Sequence, residues 1–252
     1  MTPAHTLLVG GAGVLAGAVN AIAGGGTLIS FPALLAAGLP AVQANTTSSV
    51  GLVAGYAGGS VAYRRELSGQ RSRATGLLVA GVVGGVVGAV LLLATPGGSF
   101  RAVVPYLLLA SCALLAVQPR VARALERRGR AADHPGWEAQ LAIGVGAVYG
   151  TYFGAGLGVV MLAVLGLLVA DDLQRLNALK GVLSLVINVV GALLFAVTGN
   201  VDWLAAAVLA VGAAVGAVAG VALARRLPAV WVRTAVVLTG LVVAIVLLLD
   251  GM

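Results

Sequence analysis

Charge, aromatic rings and thiols are all scarce in this chain, and each shortage removes a class of function. Only 9% of its 252 residues are charged and 5% are aromatic, against 60% hydrophobic residues and a mean hydropathy of +1.08. A soluble domain cannot cover its surface with so little polarity. One cysteine, Cys112, excludes a disulfide framework within the chain, and with no Cys or His beside it in its apolar run it reads as ordinary packing. His5 and His134 lie in terminal or loop sequence, and no carboxylate pair falls within an apolar run. Metal ligation and hydrolytic or redox catalysis therefore have no visible apparatus, so an enzyme is not expected and neither metal nor cofactor is called for. No GxxxxGK[ST] motif occurs, so any energy comes from a gradient or from a separate partner. The stretch before the first apolar run has no basic residue, so the first helix is expected to be mature structure and not a signal peptide.

What is present is apolar length. Runs near 5–37, 43–63, 74–95, 102–119, 139–170, 177–197, 203–224 and 230–249 include several of about 20 residues, enough to cross ~30 Å of hydrocarbon. The chain reads as an all-α polytopic membrane protein with lipid as its surroundings. Its 37 glycines predict close helix packing, with Gly81, Gly84, Gly85 and Gly88 as one such stripe.

The net charge of +7 does not point to nucleic acid, because the basic residues sit between apolar runs and not along a surface interleaved with aromatics. Arg64, Arg65, Arg71 and Arg73 share one short loop, Arg120, Arg123, Arg127, Arg128 and Arg130 the longest, and Arg225, Arg226 and Arg233 a third. By the positive-inside rule all three are cytoplasmic. The turns near 95–100 and 198–203 carry no Lys or Arg before Arg101 and face outward. Segment 139–170 must then start and finish inside, and segment 5–37 must start and finish outside, so each is a hairpin. The chain is thus expected to form two inverted repeats, each a broken-helix hairpin plus three transmembrane helices. Residues 1–119 form the first and 139–252 the second, with a basic cytoplasmic linker at 120–138 and both termini outside.

Glycine clusters at Gly24, Gly25 and Gly26 and at Gly154 and Gly156 supply the break in each hairpin. An interrupted helix in lipid strands peptide groups unless protein or a wet cavity satisfies them, and matched interruptions in two halves point to a transporter's substrate site. With Thr27, these breaks are expected to present free N–H groups at half-helix N-termini, which favour anions. Pro32 is expected in the first turn of the short half-helix and Pro40 at its exit.

About twenty residues after each break comes a polar helix start. Asn177, Lys180, Ser184 and Asn188 fall on one helical face. The corresponding start in the first half places Asn45 where Asn177 is and Ser48 where Lys180 is, with Thr46 between them. Lys180 is the chain's single lysine. If its helix begins near Leu173 it lies roughly 10 Å along the axis, so two readings stand: a side chain snorkelling to the cytoplasmic interface, or an ammonium that draws an anion into a cavity. A lysine there can also exchange a proton, which makes protons a candidate coupling ion. Tyr149 and Tyr152 flank the second break, with Asn20 in roughly the place of Tyr149 in the first.

At these residues the sequence resembles the sulfite exporter TauE/SafE family. The first half matches from Gly17 to Pro40 (GAVNAIAGGGTLISFPALLAAGLP) and through AlaAsnThrThr at 44–47, and the second through YGTYFGAGLGVVMLAVLGLL from Tyr149 and LNALKGVLSLVIN from Leu176. The resemblance implies a bacterial inner-membrane carrier that exports small anions such as sulfite, organosulfonates or related organic acids. An anion channel, or a non-transporting membrane subunit of a larger complex, is the alternative. Which anion, which coupling ion and what oligomeric state are not legible in the residues.

Overall fold

A computed structural model describes residues 1–22, 24–127, 136–169, 171–198, 200–224 and 229–249. Arg128, Arg130, His134, Arg225 and Arg226, named above for their loops, lie outside the described residues. The helices are α1 (Pro3–Ile22), α2 (Thr27–Ala36), α3 (Ala41–Ala62), α4 (Arg71–Ala94), α5 (Gly97–Arg127), α6 (Trp137–Tyr152), α7 (Leu157–Leu168), α8 (Leu173–Val197), α9 (Trp203–Ala224) and α10 (Ala229–Leu249). No strand occurs among the described residues. The protein is all-α, and among the described residues five helices contain stretches long and apolar enough to cross a membrane. Outward-facing Val79, Val83, Val90, Leu193, Val211 and Val215 present that apolar exterior, which suits lipid contact and not water.

Both long apolar segments break where the glycines lie, giving the pairs α1–α2 and α6–α7. Residues 120–127 of the basic segment prolong α5. Pro32 differs from expectation: α2 starts directly at Thr27, so Pro32 is interior to the helix and not in its first turn. Nor does Pro40 close α2. That is done by Gly38 (φ +93°), where Leu39 N–H bonds Leu34 O at 3.1 Å and Gly38 N–H bonds Leu35 O at 2.9 Å, a glycine-dependent helix stop. Pro40 instead opens α3, its carbonyl accepting from Ala44 N–H at 2.8 Å.

Helices from the two halves of the chain interleave. α1 packs on α9 and α3, while α6 packs on α4 and α8; α3 lies against both α8 and α9, and α5 against α10. Exchanging each helix for the one five later carries these principal pairs onto themselves. Glycine makes the tightest of them. A Cβ at Gly84 or Gly88 would overlap the carbonyls of Gly144 or Val148 on α6, and one at Gly17 or Gly216 would overlap those of Ala213 or Val14 across the α1–α9 seam. Gly81 and Gly85 of the same stripe face Ile187 and Val190 of α8 instead. Without a hydrophobic drive between helices in lipid, such backbone approach is what holds them.

Two polar ties fix the ends of α8. At its start, Arg73 and Arg175 both bind Asp171, at 3.1 and 2.8 Å, Gln70 Nε2 donates to Arg175 O at 3.1 Å and Arg175 donates to Ser68 O at 3.2 Å. The α3–α4 loop and the α7–α8 turn therefore share one end of the bundle. At the other end, Thr46 Oγ1 donates to Asn200 O, and Thr47 Oγ1 accepts from Asp202 N–H at 3.0 Å. A shift of 132 residues carries Asn45 to Asn177 and Ser48 to Lys180, and it also carries Ser68 to Asn200 and Gln70 to Asp202. The two ties occupy corresponding places, one built with charges and the other with hydroxyls.

Candidate functional site

The two breaks meet at the centre of the protein. Gly24 and Gly158 are in backbone contact: a Cβ on Gly24 would stand 2.6 Å from the Gly158 Cα. Gly24, Gly154 and Gly156 have φ of 79°, 80° and 80°, a region that only glycine occupies at no steric cost. Gly25 faces Leu115, and Thr27 lies beside Gly154. Phe31 and Phe153 pack edge to face at 5.5 Å next to the crossing, burying its apolar flank. The helices preceding the breaks finish alike, since Gly24 N–H bonds Val19 O at 3.0 Å and Gly154 N–H bonds Tyr149 O at 3.3 Å. Val19, and not Asn20, is thus the counterpart of Tyr149.

These bonds change what the breaks offer. The N–H groups of Gly24 and Gly154 are taken by carbonyls, and that of Gly26 donates to Asn20 Oδ1 at 2.7 Å. Those three N–H groups are satisfied within the chain, as buried backbone must be.

Polar side chains gather in two clusters. In the first, α8 brings Asn177 and Lys180 against Tyr56 and Ser60 of α3 and Asn20 of α1, around a cavity of about 20 Å³. Gly55, Gly59 and Gly181 leave the room for it. α8 starts at Leu173, where the Asp172 carboxylate caps Gln174 N–H at 2.8 Å, so Lys180 lies two turns in. Its side chain is 5% exposed, and its Nζ donates to Asn177 Oδ1 at 3.1 Å. Among the described residues no carboxylate forms an ion pair with it. Ser184 and Asn188 continue the buried face, with Asn188 Nδ2 donating to Ser184 O at 2.8 Å and Ser184 Oγ unpartnered. The Tyr56 hydroxyl lies beside the Asn188 and Asn20 side chains. The snorkelling alternative for Lys180 does not describe this side chain, which is turned into the protein.

The second cluster lies on the other side of the crossing. Ser30 and Ser48 share a 2.6 Å hydrogen bond, and Asn45 Nδ2 donates to Tyr152 O at 2.9 Å while its Oδ1 is unpartnered. Thr46 is engaged with the α8–α9 turn as described. Tyr149 joins neither cluster: its hydroxyl donates to Ala155 O at 2.6 Å and lies 2.7 Å from Ser111 Oγ, beside an apolar surface groove shared with Trp137 and Leu141. Asn20, Tyr56, Ser60 and Tyr63 are polar cavity residues that the sequence reading did not assign to a site. The series Ser48, Leu52, Tyr56 and Ser60 at four-residue spacing was the available signal for two of them.

The space beside Lys180 holds about one water and no polyatomic anion. Crossed helix breaks, a buried ammonium with no ion-pair partner among the described residues and polar ties at both ends of one helix define a polytopic membrane protein built as transporters are.

The sequence comparisons agree with that class. The model of the sulfite exporter TauE/SafE family matches residues 9–247, and the chain belongs to that family. It is 27% identical over 239 residues to the probable membrane transporter protein YfcA of Escherichia coli K12, covering 94% of this chain and 87% of that one. A probable membrane transporter protein of Haemophilus influenzae is 26% identical over 205 residues, 81% of this chain and 79% of its own. The probable membrane transporter protein ORF9 of a Sinorhizobium species is 30% identical over 110 residues, a match that spans 44% of this chain and 42% of ORF9. No solved structure matches the chain significantly.

Proposed function

We propose that this membrane transporter moves small anions such as sulfite, organosulfonates or related organic acids out of the cell by alternating access. The observation that carries the reading is Lys180, a buried ammonium with no carboxylate partner among the described residues, lining a cavity between α3 and α8. An unpaired charge costs several kcal/mol to bury, and a bound anion offsets that cost during transport. Asn177, Ser184 and Asn188 with Lys180, and Asn45, Thr46 and Ser48 on the other side of the breaks at Gly24–Thr27 and Gly154–Gly156, form successive halves of the path.

Residues 1–119 and 139–252 act as two inverted repeats joined by the linker at 120–138. The self-mapping of the helix pairs under a five-helix shift supports this, as does the correspondence of the two ties. The tie at Arg73, Asp171 and Arg175 faces the cytoplasm, as the arginine placement requires. Both termini then face outward from the bacterial plasma membrane, and rocking of one repeat on the other opens each end in turn. Protons are the proposed coupling ion, exchanged at Lys180. The protein has no catalytic role.

The test is reconstitution into proteoliposomes with counterflow. A carrier drives uptake of labelled sulfite or sulfonate against an internal pool of unlabelled anion, whereas a pore shows downhill flux alone and a non-transporting subunit shows neither. Absence of any response to a proton gradient removes the coupling proposal.

A further inference from the structure

Asn20 has the geometry of a relay between the α1–α2 break and the cavity at Lys180. Its side chain is 6% exposed and lines that cavity. Its Oδ1 is committed to Gly26 N–H at 2.7 Å, and a Cβ on Gly26 would stand 2.7 Å from the Asn20 Cγ, so the amide is pressed against the break and cannot turn over without losing that bond. Its Nδ2 lies equally near that Gly26 Cβ position, at 2.7 Å, and is buried beside the Tyr56 hydroxyl without a hydrogen bond of full geometry. A buried amide that keeps two N–H donors unused is costly, and native proteins seldom tolerate one without a role for it.

The surroundings identify what satisfies it. The other polar groups at the cavity are the Lys180 ammonium, which has donors beyond the one given to Asn177 Oδ1, and the hydroxyls of Tyr56, Ser60 and Tyr63. Every one of these groups can donate and one carries positive charge, while the one carbonyl-type acceptor, Asn177 Oδ1, already accepts from Lys180. We infer that Asn20 Nδ2 is a substrate-binding donor that takes an oxygen of the transported oxyanion while Oδ1 holds the α2 break. This rests on the transport reading above and deepens it, by assigning a neutral donor that reads the oxygen atoms beside the charge of Lys180. The consequence is mechanical as well. The atom that grips the anion and the atom that caps α2 belong to one rigid amide, so anion binding acts directly on the position of the broken helix.

The test separates gripping from capping. Asn20→Asp keeps the size and the acceptor for Gly26 N–H but replaces the donating amine with an acceptor oxygen and adds negative charge. Asn20→Ala removes both functions. Purified protein in detergent is titrated with methanesulfonate and with sulfite, reading the apparent melting temperature and the Kd from its shift. Asn20→Asp, whose carboxylate pairs with the Lys180 ammonium in the same cavity, is expected to raise the anion-free melting temperature and to lose at least tenfold in affinity for both probes. Asn20→Ala is expected to lose at least tenfold, measured below its own lowered melting temperature. Because a carboxylate at position 20 competes for Lys180 whatever Asn20 does, Asn20→Ala decides. If Asn20 served structure alone, Asn20→Ala would lower the melting temperature and leave wild-type affinity in the folded protein, and that result overturns the assignment. If wild-type protein responds to neither probe and shows no counterflow, the transport reading itself fails and this assignment with it.

Discussion

Gly24 and Gly158 touch backbone to backbone, so the two broken helices cross at a point where neither position can carry a side chain. At Gly24 the φ of 79° adds a second penalty for any L-residue. Gly24→Ala is expected to destabilise by about 2–5 kcal/mol, combining overpacking and backbone strain. Gly158→Ala, which sits within α7 and meets only the steric contact, is expected to cost about 1–3 kcal/mol. Melting in detergent, followed by loss of the monodisperse peak, measures both. Equal melting temperatures for Gly24→Ala and wild type would show that the crossing is not as drawn.

Lys180 separates function from stability. A lone ammonium buried at this depth opposes folding, so Lys180→Met is expected to raise the melting temperature of the anion-free protein, by roughly 1 kcal/mol or more in stability. The same change should remove anion-dependent stabilisation, a loss of about 2–5 kcal/mol or some 30-fold and upward in affinity. Lys180→Arg keeps charge but not shape and is expected to bind weakly without the gain in stability. Anion binding undiminished in Lys180→Met would rule out a charged site.

The two ties make opposite predictions. Asp171→Asn leaves Arg73 and Arg175 without their shared carboxylate and loosens the end of the bundle at the start of α8. Thr47→Val removes the acceptor for Asp202 N–H and loosens the other end. Each is expected to cost about 1 kcal/mol in stability. A thiol introduced by Ser60→Cys, on the cavity wall, should react faster with a maleimide in the Asp171→Asn background and no faster in the Thr47→Val background. Equal rates in both would show that neither tie controls access to the cavity.

Sidedness is directly measurable because Cys112 is buried between α5 and α10, with its Sγ 3.6 Å from Val237 O, and contributes little background. Ser68 and Asn200 are both exposed and lie at opposite ends of the bundle. In intact cells an impermeant maleimide is expected to label Asn200→Cys and not Ser68→Cys. The reverse pattern would invert the orientation of the whole protein.

The all-helical character, the positions of both breaks and the polar face of α8 were legible in the residues alone. Each is a local property: apolar length sets a span, a glycine cluster stops a helix, and a spacing of three and four residues puts side chains on one face. The arginine-rich loops even placed the α3–α4 loop and the α7–α8 turn on one side, and the Arg73–Asp171 and Arg175–Ser68 contacts join them. The tertiary structure alone decided what the breaks expose. Gly26 N–H goes to Asn20, Tyr149 turns away to Ser111 and Ala155, and the polar residues divide into two clusters on either side of the crossing. Those outcomes depend on which atoms meet across helices distant in sequence, and a hydrogen bond of 2.7 Å is decided by backbone placement that no spacing rule encodes. A glycine cluster announces that donors will be freed; only packing determines which neighbour claims them.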